Sequence, residues 1–240
     1  MSNIDLQKFL KLGRFFGSPR LNGPPIFVNS MPKAGTNLLE NLLVSLGYKR
    51  NFSRCLNESN MSRTSINPRQ GRFYIGHITE DKLIHSAGFC TIYLKRDLWS
   101  CLKSYVNYMY IDKGHPVSRF LRRSPKLETV QSLFLTKNNP NGRPLIDEYL
   151  RFHRLNLGNY QLCVEFNDLI AHDTELIKVI ARTLELSENH IREHLIRSHE
   201  AESYTKNVGR IDIFGNFDER DVKVLQQHVV VAEIHAIETS

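Results

Sequence analysis

Ile26-Phe27-Val28-Asn29-Ser30-Met31-Pro32-Lys33-Ala34-Gly35-Thr36-Asn37-Leu38-Leu39 constrains the fold more than any other stretch of the chain. An apolar, β-prone run passes through a turn of small residues into a helical pattern, so the segment reads as a buried strand that opens directly into a helix. Behind the turn, Leu38, Leu39, Leu42, Leu43 and Leu46 recur at helical spacing and form one apolar stripe, with Gly47 placed to end the helix. The first amides of a helix have no partners within it and carry a partial positive charge. A turn that adds a lysine (Lys33) and a threonine hydroxyl (Thr36) to those amides is suited to an anion, phosphate or sulfate. The plainer reading is an ordinary strand-to-helix turn with a solvent-facing lysine.

The turn lacks the pattern of the nucleoside-triphosphate P-loop, in which a second glycine is followed by Lys-Ser/Thr and the hydroxyl holds magnesium. Here Lys33 precedes Gly35 and no lysine adjoins Thr36, so anion binding without that magnesium chemistry is expected. A second segment, Phe89 to Tyr105, again runs from an apolar strand into a helix. Arg96 stands at the strand's end and Ser104 follows eight residues later, about two helical turns on. An arginine fork and a hydroxyl converging on the helix entrance suit a second phosphate. Between the two, Arg72-Phe73-Tyr74-Ile75-Gly76-His77-Ile78-Thr79 is an alternating strand that delivers His77 just before a polar helix start. A neutral imidazole, with an ordinary pKa of about 6.5, can take the proton of an attacking hydroxyl. A lone histidine is more often a satisfied core or surface residue; Glu80 and His153 are the fallback bases.

With these segments in view, the chain resembles the sulfotransferases that use 3′-phosphoadenosine 5′-phosphosulfate (PAPS). Their first signature, Pro-Lys-Ser/Ala-Gly-Thr before a helix, is matched by Pro32-Lys33-Ala34-Gly35-Thr36. Their second, an apolar strand, an Arg-Asp or Arg-Asn pair and a Ser-Tyr eight residues after the arginine, is matched by Arg96-Asp97 and Ser104-Tyr105. The resemblance implies that Lys33, Ala34, Gly35, Thr36 and Asn37 hold the 5′-phosphosulfate, that Arg96 and Ser104 hold the 3′-phosphate, and that His77 is the catalytic base with Lys33 stabilising charge. It also implies PAPS as sulfuryl donor, PAP as product and no metal. The family's C-terminal basic loop is loosely echoed by Tyr204 to Asp212, which brings Lys206, Gly209 and Arg210 into the donor site. Two features depart from the pattern: Asn37 and Leu38 stand where an aromatic residue often stacks on adenine, and Ile75 stands where a lysine often precedes the histidine.

The remainder of the chain fits the same architecture. At 240 residues, 41% of them hydrophobic, it suits one well-buried domain spanning 1–240. A further strand-helix unit runs from Gln161 to Phe166, through Asn167-Asp168-Leu169, into a helix from Thr174 to Leu184. In sulfotransferases a similar strand ends in Tyr/Phe-Glu-Asp-Leu. Alternating strands and helices call for an α/β fold with a mainly parallel sheet between two helical layers, and such sheets bind ligands at their carboxyl edge. The resemblance narrows this to the P-loop-like sulfotransferase fold. Residues 111–144, broken by Gly114, Pro116, Pro125 and Asn138-Asn139-Pro140-Asn141-Gly142, read as a substrate-facing loop or lid, and 51–71 as a similar loop. Met1 to Phe16 reads as an amphipathic helix packed on the domain, and the apolar C-terminal helix containing Val222, Leu225, Val229, Val230, Val231 and Ile234 either seals the core or pairs with a partner, leaving an oligomer open.

A formal charge of +7 raises the question of nucleic acid, but no basic stripe with interleaved aromatics, zinc spacing or RNA-binding signature accompanies it. The charge suits attraction of an anionic nucleotide. No run of 18 apolar residues exists, so no membrane span is expected. Cys55, Cys90, Cys101 and Cys163 have neither metal nor redox spacing, which favours a reducing cytoplasm and no structural metal. The expected reaction is sulfuryl transfer to a hydroxyl, less favourably an amine, of a small-molecule acceptor. Two other classes stay open. One is a P-loop-type nucleotide-dependent kinase, which needs an acidic magnesium ligand; Asp97 is available but suits a helix N-cap. The other is a non-catalytic nucleotide-binding protein.

Overall fold

The computed structural model describes residues 18–51, 55–58, 66–80, 88–140, 142–200 and 212–238. In chain order the elements are β1 (Ile26–Ser30), α1 (Thr36–Ser45), β2 (Lys49–Arg50), β3 (Arg72–Gly76), β4 (Cys90–Lys95), α2 (Leu98–Ile111), α3 (Ser118–Arg123), α4 (Leu127–Leu135), α5 (Leu145–Leu150), β5 (Leu162–Glu165), α6 (Phe166–Ala171), α7 (Thr174–Leu184), α8 (Glu188–Glu200) and α9 (Glu219–Glu238). Short 3-10 turns stand at Arg151–Arg154, Leu157–Asn159 and Ile213–Asn216. The described residues form two compact units. One is drawn from Met1–Ser30, Gly35–Lys95 and Asn156–Ala201, the other from Met31–Ala34, Arg96–Leu155 and Glu202–Ser240.

The first unit holds a five-stranded sheet in the order β2-β3-β1-β4-β5, parallel throughout. The chain is thus α/β, as its alternation of strand and helix predicts. β1 is buried over its whole length, as expected of a parallel strand covered on both faces, and its continuous apolar run explains why it takes the centre. At the sheet's edge, β5 alternates buried and exposed residues. Strand order turns about β1, with β3 on one side and β4 on the other. The carboxyl end of β1 is therefore a topological switch point, the place where open α/β sheets take their ligands.

Gly47 ends α1 as expected. Its φ of 102° is left-handed, its amide donates to Val44 O at 3.1 Å and the Tyr48 amide donates to Leu43 O at 3.0 Å, the paired bonds of a Schellman cap. α1 also carries Glu40, which accepts from Arg50 of β2 at 2.8 Å with both side chains nearly buried. Helix α7 runs from Thr174 to Leu184, with Asp173 Oδ1 accepting from Leu176 N as its cap.

The second unit is helical. Asp97 caps α2, accepting from Ser100 N at 2.8 Å, and Glu233 of α9 accepts from Leu98 N at 3.2 Å. Trp99 packs edge-on against Phe134 of α4 and against Phe214. Residues 111–144, which the sequence marks as a loop or lid, contain α3 and α4, with Leu121, Leu127, Val130, Leu133 and Phe134 buried. Apolar residues three and four apart form these helical faces, while the glycines and prolines fall in the gaps and keep the helices short. α9 buries Leu225 and Val229 and leaves Val224, Val231, Ile234 and Ile237 exposed. Among the described residues no helix is long and apolar enough to cross a membrane. The expected helix at Met1 to Phe16 lies outside the described residues, as do 52–54 and 59–65 of the 51–71 loop.

Glu40→Ala leaves the Arg50 guanidinium buried without its carboxylate, and removing one partner of such a pair costs about 3 kcal/mol or more. Urea denaturation should show that loss; a change near zero would mean water reaches the pair.

Candidate functional site

In the helical unit, the turn Met31–Ala34 is closed by the Ala34 amide donating to Met31 O at 3.2 Å. Lys33 within it has φ 68°, a left-handed conformation that costs a non-glycine residue about 1 kcal/mol or more. Two contacts offset that cost. Arg96 Nη1 donates to Lys33 O at 3.2 Å, and Lys33 Nζ lies 3.7 Å from the centroid of the Tyr108 ring on α2. Tyr108 donates in turn to Asp112 Oδ2 at 2.7 Å. That bond, the Gly114 amide and the charges of His115 and Lys33 hold the Asp112 carboxyl below the usual carboxylate range against a small opposing effect of burial. His115 packs edge-on against Tyr105 and Tyr108. Burial pushes its pKa down, Asp112 pulls it back up, and Lys33 adds to the lowering, for a net decrease.

In the sheet unit, Gly35 has φ 103°, and a Cβ there would lie 2.2 Å from a ring carbon of Phe166. Both the backbone and the neighbouring ring therefore demand glycine at the N-cap of α1. Thr36 Oγ1 is hydrogen-bonded to Ser30 Oγ at 2.9 Å. His77, the residue immediately after β3, directs Nδ1 to Ser30 O at 2.8 Å, with Ser30 Oγ at 3.4 Å. A carbonyl only accepts, so Nδ1 carries a proton, and in the neutral ring the lone pair is then on Nε2, the tautomer a general base needs. The His77 backbone is fixed on both sides. Its amide donates to Leu56 O at 2.8 Å, and the next residue, Ile78, is clamped by Asn29, whose Oδ1 accepts from Ile78 N at 2.9 Å while Nδ2 donates to Ile78 O at 2.8 Å. Asn29 is fully buried, and its Nδ2 also donates to the Tyr160 hydroxyl at 2.8 Å.

The two segments singled out in the sequence pair along β1 and β4 in the sheet unit, and in the helical unit Arg96 bonds to the carbonyl of Lys33. Ser104 is half-buried on α2, two turns beyond Arg96, beside Lys103, which pairs with Asp212 at 2.7 Å. Lys206, Gly209 and Arg210 lie outside the described residues. Asp212, where the description resumes, is held on α2 through Lys103, and Asn107 Oδ1 accepts from Ile213 N. Of the fallback bases, Glu80 is exposed and His153 is buried with Nε2 3.4 Å from Glu233, a packing position in the helical core. Among the described residues no group of three or more His, Cys, Asp or Glu stands in position to hold a metal ion.

Asn29, Ser30 and Phe166 in the sheet unit, and Tyr108 in the helical unit, touch candidate residues of their own unit, and the sequence reading did not single them out for the site. A signal existed for the first two: an Asn-Ser pair at the end of an apolar central strand is a buried polar cost that needs partners. None marked Tyr108 or Phe166, whose contacts join residues far apart in the chain. No protein-family model matches the chain, and no curated protein matches it significantly.

Lys33→Ala removes one of the two effects that lower the His115 pKa, so His115 should titrate closer to its ordinary value in the variant. Imidazole NMR titration measures this. An unmoved pKa would show that the lysine ammonium does not act on the α2 aromatic cluster in solution.

Proposed function

We propose that the chain is a PAPS-dependent sulfotransferase with a P-loop-like sulfotransferase fold, moving a sulfuryl group to a hydroxyl, less favourably an amine, of a small-molecule acceptor. The observation that carries this reading is the hydrogen bond from Arg96 to Lys33 O, which joins the residues most diagnostic of the two signatures. An all-parallel sheet with a switch point at the end of β1 supports it as well. The donor set is anion-seeking: an ammonium, a guanidinium, hydroxyls and helix N-terminal amides. PAPS is the fitting donor and PAP the product, with no metal assigned a role. Membrane and nucleic-acid partners are not invoked, and a cytoplasmic location follows the cysteine pattern.

In this scheme His77 Nε2 takes the proton of the acceptor hydroxyl as the oxygen attacks sulfur, while Nδ1 stays protonated against the Ser30 carbonyl and holds the ring in place. Lys33 and the amides from Gly35 to Asn37 stabilise charge developing on the bridging and sulfonate oxygens as the bond from sulfur to the leaving phosphate breaks. The Ala34 amide is already bonded to Met31 O, so it shapes the turn that presents them. Arg96 and Ser104 bind the 3′-phosphate that distinguishes this donor from ATP. Asp97 acts as the cap of α2, an arrangement that favours this scheme over a kinase needing the same carboxylate for magnesium.

Calorimetry should show PAP binding far more tightly than ATP with magnesium; the reverse preference would overturn the donor assignment. With labelled PAPS and a panel of hydroxyl and amine acceptors, His77→Ala should lose about 10²–10⁴-fold in turnover while still binding PAP. Arg96→Ala should weaken PAP binding by about tenfold or more, a loss typical of a charge-assisted contact. Full activity in His77→Ala would remove the base assignment, and PAP binding without transfer to any acceptor would favour a non-catalytic binder.

A further inference from the structure

Beyond the end of α2, the helical unit concentrates positive charge around a cavity of about 320 Å³ lined by Lys113, Ser118, Arg119, Arg122 and Arg123. All four cationic residues are exposed, and none of them pairs with an acid among the described residues. Arg119, Arg122 and Arg123 stand at i, i+3 and i+4 of α3, so they share a helix face where like charges repel. Arg119 also lies in the first turn, where the helix dipole disfavours a cation. Arg122 has a structural use: Nε donates to Tyr110 O at 2.7 Å and Nη2 to Ile111 O at 3.2 Å, closing the end of α2. Among the described residues Lys113, Arg119 and Arg123 have no such use.

A second, independent observation points to a ligand. Ser118, 2% exposed, contributes to the lining of the same cavity, and its Oγ is buried with no hydrogen-bond partner. Buried hydroxyls in folded proteins are nearly always paired. An oxyanion in the cavity would accept from it and neutralise the cations together. The pocket is open to solvent, so an ester group can sit in it while the molecule that carries it extends outside.

We propose that this cavity is a binding site for a ligand bearing two or more oxyanion charges, as phosphate or sulfate groups. Arg119, Arg123 and Lys113 hold the charges, Arg122 offers the N–H groups not used on α2, and Ser118 Oγ donates to one oxygen. The site stands apart from Lys33 and Arg96 in its residues, and it does not depend on the transfer reaction proposed above.

The full chain is titrated calorimetrically at low salt with pyrophosphate, inorganic phosphate and a disulfated disaccharide. A Lys33→Ala/Arg96→Ala background removes the two cations of the proposed donor site that lie among the described residues and should retain pyrophosphate binding. Arg119→Ala/Arg123→Ala, exposed positions whose loss leaves the fold intact by circular dichroism, should weaken it about tenfold or more, and Ser118→Ala by a few-fold. Arg119→Lys/Arg123→Lys should keep most of the affinity, since charge is retained. Tighter binding of the disaccharide than of inorganic phosphate identifies an ester of a larger molecule as the source, and equal binding a free ion; both support the site. Unchanged affinity in Arg119→Ala/Arg123→Ala, or loss of all binding in the Lys33→Ala/Arg96→Ala background, overturns it.

Discussion

Parallel pairing of β1 with β3 on one side and β4 on the other governs the sheet unit. Register sets Asn29 opposite Gly76 and Tyr93, and Ser30 opposite Leu94, so three strands end at one edge. A buried asparagine in such a strand must spend its amide on neighbours, because an unpaired polar group there is costly. Asn29 does so on both backbone groups of Ile78 and on Tyr160, and thereby fixes the chain beside His77. The imidazole is then oriented by a carbonyl of the same central strand, through Ser30. Polar residues that weaken the apolar pattern of β1 are the ones that position the histidine.

The turn beyond β1 combines two left-handed residues with opposite justifications. Gly35 is there because only glycine fits both its φ and the ring of Phe166. Lys33 is there despite its φ, and its cost is offset by contacts made with its carbonyl and its ammonium. A strained non-glycine residue held from two sides keeps one geometry, and preorganised charge is most effective in catalysis when it need not rearrange during the reaction. Tyr108, with His115 packed against it from beyond the helix end, makes that part of α2 a place where the lysine charge sits over an aromatic face.

Particular elements show how far the residues alone can be read. The strand and helix at Ile26 to Ser45, the Gly47 cap, the Asp97 cap and the helix from Thr174 to Leu184 were all legible because their causes are local: apolar period, a left-handed glycine, an acceptor side chain at a helix start. Residues 111–144 were harder, since proline and glycine content obscured two short helices whose apolar faces are a few residues each. For the candidate site, Lys33, Gly35, Thr36, His77 and Arg96 could be named from residue type and spacing. Ser104 could be placed on its helix, whereas the burial of His153 against Glu233 was not legible, because it joins residues eighty apart in the chain.

By itself the sequence determined the α/β alternation, the strand-turn-helix that ends β1, and an anion-seeking residue set, because each depends on neighbours along the chain. Tertiary structure alone decided that Arg96 would bond to the carbonyl of Lys33, that Asn29 would clamp Ile78, and that Phe166 would exclude a Cβ from Gly35. The physical reason is the same in each case: these are contacts between segments that only packing brings together, and hydrogen-bond direction and ring proximity leave no period in a linear chain.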